Sequence, residues 1–242
     1  MVIKVFDTPE LLLPALADYI MVEAKEAIEK RGRFNLVLSG GSSPKKLYEL
    51  LASDSYLYKI QWNNVYFFFG DDRYVPHNHK DSNFLMATLA LFDPLRIPKD
   101  HIFGIDTSLS PENAAIAYEQ TIKEHFKGSE CIFDVILLGL GDNSHTASLF
   151  PHTTVLHEKT ALVKEIYVEE VKMNRITFTA PLINLGHKIL FLVYGAGKAE
   201  AVKHILEDPT NIDEYPAQLI KAKQGEVVWF LDKGAAAKIR GN

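Results

Sequence analysis

The stretch DVILLGLGDNSHTASLFP, residues 134–151, runs through Val135, Ile136, Leu137 and Leu138 without one polar side chain. A strand with one face in water alternates apolar and polar positions, so an uninterrupted apolar run reads as a strand covered on both faces, the habit of a mostly parallel sheet. NLVLS at 35–39 has the same character. Working outward, apolar runs at 3–6, 34–39, 65–69, 133–138, 161–168, 175–179, 188–194 and 227–231 are the candidate strands, with helix-period segments between several of them. In the segment 14–31, Leu16, Ile20, Ala24, Ala27 and Ile28 fall on one helical face, and Pro14 is expected to open that helix, because an interior proline would break it. The expected fold is α/β, a Rossmann-like open sheet, mostly parallel, with helices on both faces. Only 99–110 and 207–215 read as long connections, and one compact domain over 1–242 is expected, with no internal repeat, low-complexity tract or linker.

The chain has 242 residues, 47% of them hydrophobic, and a formal net charge of −5. That charge, with no dense Lys/Arg block, argues against nucleic acid or an anionic membrane as partner. A single cysteine, Cys131, excludes an internal disulfide and suits a reducing cytoplasm. The start MVIKVFDTPE has no apolar leader core, and the apolar runs are far shorter than the about 20 residues a membrane-spanning helix needs. A cytoplasmic monomer or small homo-oligomer is expected.

Ligands of open α/β sheets sit beyond the carboxyl ends of the strands, and four such exits carry chemistry here. After 35–39 comes Ser39-Gly40-Gly41-Ser42-Ser43, with Pro44 expected at the first position of a helix. Glycines let the backbone curl its N–H groups into a concave row, and a helix N-terminus adds partial positive charge, so Gly40, Gly41, Ser42 and Ser43 form an expected anion cradle. After 65–69 come Asp71, Asp72 and Arg73, then Ser82 and Asn83 at a helix start; for Asp-Asp-Arg a surface ion pair and a functional role stay open. His77 and His79 lack further ligands nearby and are read as solvated loop residues rather than metal ligands. After 188–194, Lys198 follows Gly195 and Gly197; Leu192 and Ala199 exclude a Walker A loop, and a lysine at a helix start favours an anion partner. The fourth exit is Gly139 to His145. Ser144 occupies the third glycine position of a dinucleotide fingerprint, which excludes that reading, and leaves His145 at a glycine-loosened strand end where an imidazole can exchange protons near neutral pH.

Taken in order, SGGSSP (39–44), WNNVYFFFGDDRYVP (62–76) with DSN (81–83), GLGDNSHTASLFP (139–151), NRITFT (174–179), GAGKA (195–199) and VVWFLD (227–232) resemble the 6-phosphogluconolactonase branch of the glucosamine-6-phosphate isomerase/deaminase superfamily. The likeness covers about 34–237. One departure is local: that family shows Asp-Gly immediately before the histidine, and this chain has Asn143-Ser144.

The resemblance implies hydrolysis of a sugar-phosphate lactone, 6-phospho-D-glucono-1,5-lactone, without metal or organic cofactor. It implies His145 as general base, with Asn143 and Asp71 beside it in the catalytic set. Ser42, Ser43, Arg73 and Lys198 would grip the phosphate, and Arg175 is either a second such contact or a strand-start ion pair. Backbone N–H groups around Gly40, Gly41 or Gly141 are the expected donors to the developing oxyanion. Two other readings stay open: an amino-sugar-phosphate isomerase/deaminase in which Asp71 moves a carbon-bound proton, and a sensor that binds sugar phosphate without turnover.

Overall fold

The computed structural model describes residues 1–240. Its main sheet has seven strands in the order β1-β10-β9-β6-β2-β3-β5, where β1 is Val2–Phe6, β2 Phe34–Leu38, β3 Val65–Phe69, β5 Ile102–Phe103, β6 Val135–Leu138, β9 Lys188–Val193 and β10 Glu226–Asp232. Every pairing in it is parallel. The all-apolar runs are explained by two hydrophobic clusters, one on each face. Val37, Phe68, Ile136, Leu138, Ile189 and Phe191 enter one, while Leu36, Leu38, Phe67, Phe69, Leu137 and Leu190 enter the other. Consecutive residues of a strand point to opposite faces, so both parities must be apolar. Each of Phe67, Phe68 and Phe69 is at most 1% exposed, a burial that contributes about 1.5–3 kcal/mol per side chain.

Strand order reverses beside β2: β3 and β5 extend the sheet one way, and β6, β9 and β10 the other. The carboxyl ends of β2 and β6 therefore diverge in their connections, opening a crevice at the switch point. A second sheet covers it. β4 (Asp71–Arg73) leaves β3 through Gly70 and pairs antiparallel with β8 (Met173–Phe178), which pairs in turn with β7 (Val163–Val168). Gly70 links the two sheets, donating to the Leu38 carbonyl at 3.0 Å and accepting from the Phe178 N–H at 2.7 Å.

Several expectations need correction. The runs at 161–168 and 175–179 are strands, but of this antiparallel sheet, whose alternation is visible in the mixed exposure of VKEIYV. Asp71–Arg73 is a strand in its own right, and the expected connection 99–110 holds a short turn, Lys99–His101, and the edge strand β5. The first helix, α1, spans Pro9–Arg31, with Pro9 near its start and Pro14 inside it. The interior proline is tolerated because the carbonyl it leaves without a partner, on Glu10, lies on an exposed residue where water can serve it. The second helix, α2, is Ser42–Leu51, so Ser43 and Pro44 lie within its first turn and the residue before it is Gly41, at φ +106°. No helix among the described residues is long and apolar enough to cross a membrane.

The interior position of Pro14 gives a stability test. Pro14→Ala restores an N–H to α1 and removes the ring clash, while enlarging the unfolded ensemble, so a net gain of about 1–2 kcal/mol in urea unfolding is expected. A loss of stability would show that the proline's ring packing outweighs the missing hydrogen bond.

Candidate active site

The exits of β2, β3, β6 and β9 and the β4–β8 ladder enclose a cleft of about 370 Å³. Gly40, Gly41, Ser42, Ser43, Asp71, Arg73, His145, Arg175 and Lys198 all line it. Asn143 does not: it stands behind the imidazole and faces a neighbouring cavity.

The floor is set by Asp72. Its carboxylate accepts from the N–H groups of Arg73 (2.7 Å), Asn83 (2.7 Å) and Phe84 (3.1 Å) and from Ser82 Oγ (3.3 Å). It thereby caps the short helix α3, Asn83–Ala87. Burial is the largest influence on its acidity and pushes its pKa up to about 6 against those hydrogen bonds. Asn83 then donates to the Asp71 carbonyl at 3.0 Å and fills the space above Gly40, where a Cβ would stand 2.1 Å from Asn83 Oδ1. Glycine at 40 is a requirement of that contact. Among the described residues, the N–H groups of Gly40, Gly41, Ser42 and Ser43 have no hydrogen-bond acceptor, a row of donors at the start of α2.

Arg73 and Arg175 are cross-strand partners in the β4–β8 ladder. Neither forms an ion pair among the described residues, and the buried Nε of each has no partner. Arg73 donates from Nη1 to the Asp81 carbonyl at 2.7 Å, so Asp-Asp-Arg is not a surface ion pair. Arg175 is 9% exposed, and its pKa is held below the ordinary value first by burial, with Arg73 adding to the effect and Asp71 opposing it. Two like charges facing one buried space call for an anion. Lys198 reaches the same cleft and pairs with Asp142, Nζ to Oδ1 at 2.6 Å.

His145 stacks on Phe150, ring centroids 3.9 Å apart and planes 16° off parallel. Its Nδ1 lies 2.5 Å from Asn143 Oδ1, and Asn143 Nδ2 donates to Glu170 Oε2 at 2.8 Å. An amide oxygen only accepts, so Nδ1 carries the proton and the Nε2 lone pair is free. The imidazole occupies the space beside Gly141, where a Cβ would come within 2.1 Å of Nδ1. Ser144 stands at φ +64°, the left-handed region glycine prefers, so the loop keeps its turn with a serine there. The Gly141 N–H donates to the His145 carbonyl at 2.8 Å, which removes Gly141 from the oxyanion-donor candidates and leaves Gly40 and Gly41. Burial pushes the His145 pKa down to about 4; Asp71 pulls it back up, and Arg175 and Lys198 push it further down. The ring is neutral at pH 7.

Some contributors had weak sequence signals or none. Ser148, whose Oγ donates to Asp71 Oδ2 at 2.7 Å, and Phe150 sit within the quoted TASLFP, but nothing in the sequence assigned them roles. Glu170 lies in the turn between β7 and β8, 27 residues from Asn143, with no local motif. His77 is not simply solvated: it stacks on Phe84 at 4.0 Å, with Nε2 2.7 Å from the Ile105 carbonyl.

A sequence profile of the glucosamine-6-phosphate isomerases/6-phosphogluconolactonase family matches residues 7–229. The chain belongs to this family. A 6-phosphogluconolactonase from Nostoc sp. is 38% identical over 242 residues, covering 98% of each chain, and one from Synechocystis sp. is 38% identical with the same coverage. The solved structure of 6-phosphogluconolactonase from Trypanosoma cruzi superposes with a TM-score of 0.87 at 29% identity, over 99% of this chain and 97% of that one.

The contact between Gly40 and Asn83 predicts non-additive mutations. Gly40→Ala forces Asn83 out of a buried position and is expected to cost about 1–3 kcal/mol in chemical denaturation. In an Asn83→Ala background the added cost should largely vanish. Equal costs in both backgrounds would place the strain elsewhere in the loop.

Proposed function

We propose that the protein hydrolyses 6-phospho-D-glucono-1,5-lactone to 6-phospho-D-gluconate, with His145 as general base. The observation that carries the reading is a neutral imidazole with its Nε2 lone pair free in the same cleft as two arginines, Arg175 buried and Arg73 half-buried, that form no ion pair among the described residues.

A δ-lactone is an activated ester, so base-assisted attack by water suffices and no covalent intermediate is needed. Nε2 takes a proton from water as the hydroxyl oxygen bonds to C1, and the carbonyl oxygen becomes an oxyanion. The free N–H groups of Gly40 and Gly41 are the donors positioned to receive it. Collapse of the tetrahedral intermediate breaks the bond from C1 to the ring oxygen, which receives the proton back from the imidazolium. Asp71, the largest influence favouring the charged ring, stabilises the imidazolium between those steps. Arg73, Arg175, Lys198, Ser42 and Ser43 hold the phosphate at the far end of the sugar, which fixes the reacting carbonyl near the base.

Two expectations test this. Arg73→Met, Arg175→Met and Lys198→Met should each lose about 1.5–3 kcal/mol in kcat/KM on the phosphorylated lactone and little on unphosphorylated gluconolactone. Equal losses on both substrates would assign these side chains to the fold or the chemistry.

The second concerns pH. Because the base is half-protonated at about 4 and works when neutral, kcat/KM, corrected for spontaneous opening, should rise through one ionisation well below the ordinary histidine value of ~6.5 and be flat above it. His145→Ala should lose roughly 10²–10⁴-fold. A variant that keeps near wild-type rates would refute the assignment.

A further inference from the structure

The imidazole of His145 is held by an amide, and an amide has two ends. Asn143 presents Oδ1 to His145 Nδ1 at 2.5 Å and Nδ2 to Glu170 Oε2 at 2.8 Å. An asparagine free to turn over would offer its NH₂ to the ring as readily as its oxygen, and Nδ1 would then have to be the bare nitrogen, leaving the proton on Nε2 where a base needs a lone pair. Two contacts remove that freedom: the His145 backbone N–H donates to Asn143 Oδ1 at 3.3 Å, and Glu170 Oε2, at the shorter distance, accepts from Nδ2. An ionised carboxylate accepts and does not donate, so it admits only the NH₂ end of Asn143; the oxygen is turned to the ring, the ring proton goes to Nδ1, and Nε2 faces the cleft as an acceptor.

We propose that Glu170 is the positioning residue of His145, acting through Asn143. It touches the base only through the amide, and its significance rests on the reading of His145 as base. Its location supports the assignment. Glu170 belongs to the short turn Glu169–Val171 that joins β7 to β8, and β8 carries Arg175. One antiparallel sheet thus supplies both a cation of the anion-binding wall and the anchor that sets the state of the base. Glu170 is itself solvent-exposed and lines the edge of the cleft with Val171. Its role in folding is correspondingly small, and its bond to Asn143 is the one side-chain hydrogen bond it makes among the described residues.

The charged groups that act on the ring are Asp71, Arg175, Lys198 and Asp142, and all of them stay in place when Glu170 is changed. Asn143→Asp is the informative companion. An aspartate at 143 still accepts from Nδ1 but sets two carboxylates against each other at the Glu170 contact. Glu170→Gln in that background supplies an NH₂ donor and rebuilds the chain with its polarity shifted one residue inward, the negative charge now adjacent to the imidazolium.

The test is kcat, KM and the pH profile of lactone hydrolysis for Glu170→Ala, Glu170→Gln, Asn143→Asp, the Asn143→Asp/Glu170→Gln pair and His145→Ala. Circular dichroism serves as the folding control, and ¹⁵N shifts of the imidazole report the tautomer. Glu170→Ala should lower kcat roughly 10–100-fold, the span for partners that orient a site residue, with KM nearly unchanged and mixed tautomer signals. Glu170→Gln, whose Oε1 still accepts from Asn143, should lose less. Asn143→Asp alone should be impaired, and adding Glu170→Gln should recover activity with the pH midpoint above that of the wild type. Wild-type kcat and a single Nδ1–H tautomer in Glu170→Ala, or no recovery in the double variant, would overturn the positioning role. If His145→Ala keeps its activity, the base assignment itself fails, whatever Glu170 does; if His145→Ala is inactive while the Glu170 variants are unaffected, only the positioning role fails.

Discussion

The cleft depends on one buried carboxylate that never faces it. Asp72 gathers hydrogen bonds from the end of β4 and from the first turn of α3, and so joins two segments that would otherwise be separate loops. Asn83 is thereby set against Gly40, Asp71 is turned toward His145, and Arg73 is delivered to the ladder opposite Arg175. An unpaired carboxylate at such a depth would be costly; what makes it tolerable is that its partners are backbone N–H groups that had no other acceptor. The helix cap and the binding floor are thus one interaction.

Much of this was legible in the sequence, and the legible part has a common cause. Strands buried on both faces are apolar at nearly every position, so β2, β3, β6 and β9 were marked by their own residues. Glycines forced by close approach, Gly40 beneath Asn83 and Gly141 beneath His145, announce themselves because no other residue fits. What the sequence hid was decided at long range. β4 and β5 have three and two residues, too short for any periodicity, and β4 is entirely charged. Pro14 broke the rule for interior prolines because the abandoned carbonyl lies on an exposed residue, a fact of burial that no local pattern records. Glu170 sits 27 residues from its partner, in a turn that reads as ordinary surface.

The electrostatics of the cleft divide into a cationic wall and a base kept neutral beside it. Burial and the neighbouring Arg175 and Lys198 act together to keep the proton off His145, while Asp71, and less strongly Asp142, favour the charged ring. A bound dianion would partly cancel the wall's positive charge and so ease protonation of the ring. Under the proposed mechanism, bound substrate would therefore raise the basicity of the group that activates the attacking water.

The pairing of Lys198 with Asp142 bears on selectivity. The lysine is 30% exposed and its aspartate 81% exposed, so the aspartate returns to water at little cost when another anion takes its place. Whatever Lys198 lends to a ligand is a difference between two partners, and Asp142 sets the zero from which that difference is measured. A singly charged carboxylate offers the lysine little that it does not already have; a phosphate, with two charges and more oxygens, does. If Lys198 binds the phosphate as proposed, the ion pair would work as a threshold, favouring doubly charged sugars over the carboxylated sugars that share their size and hydroxyl pattern.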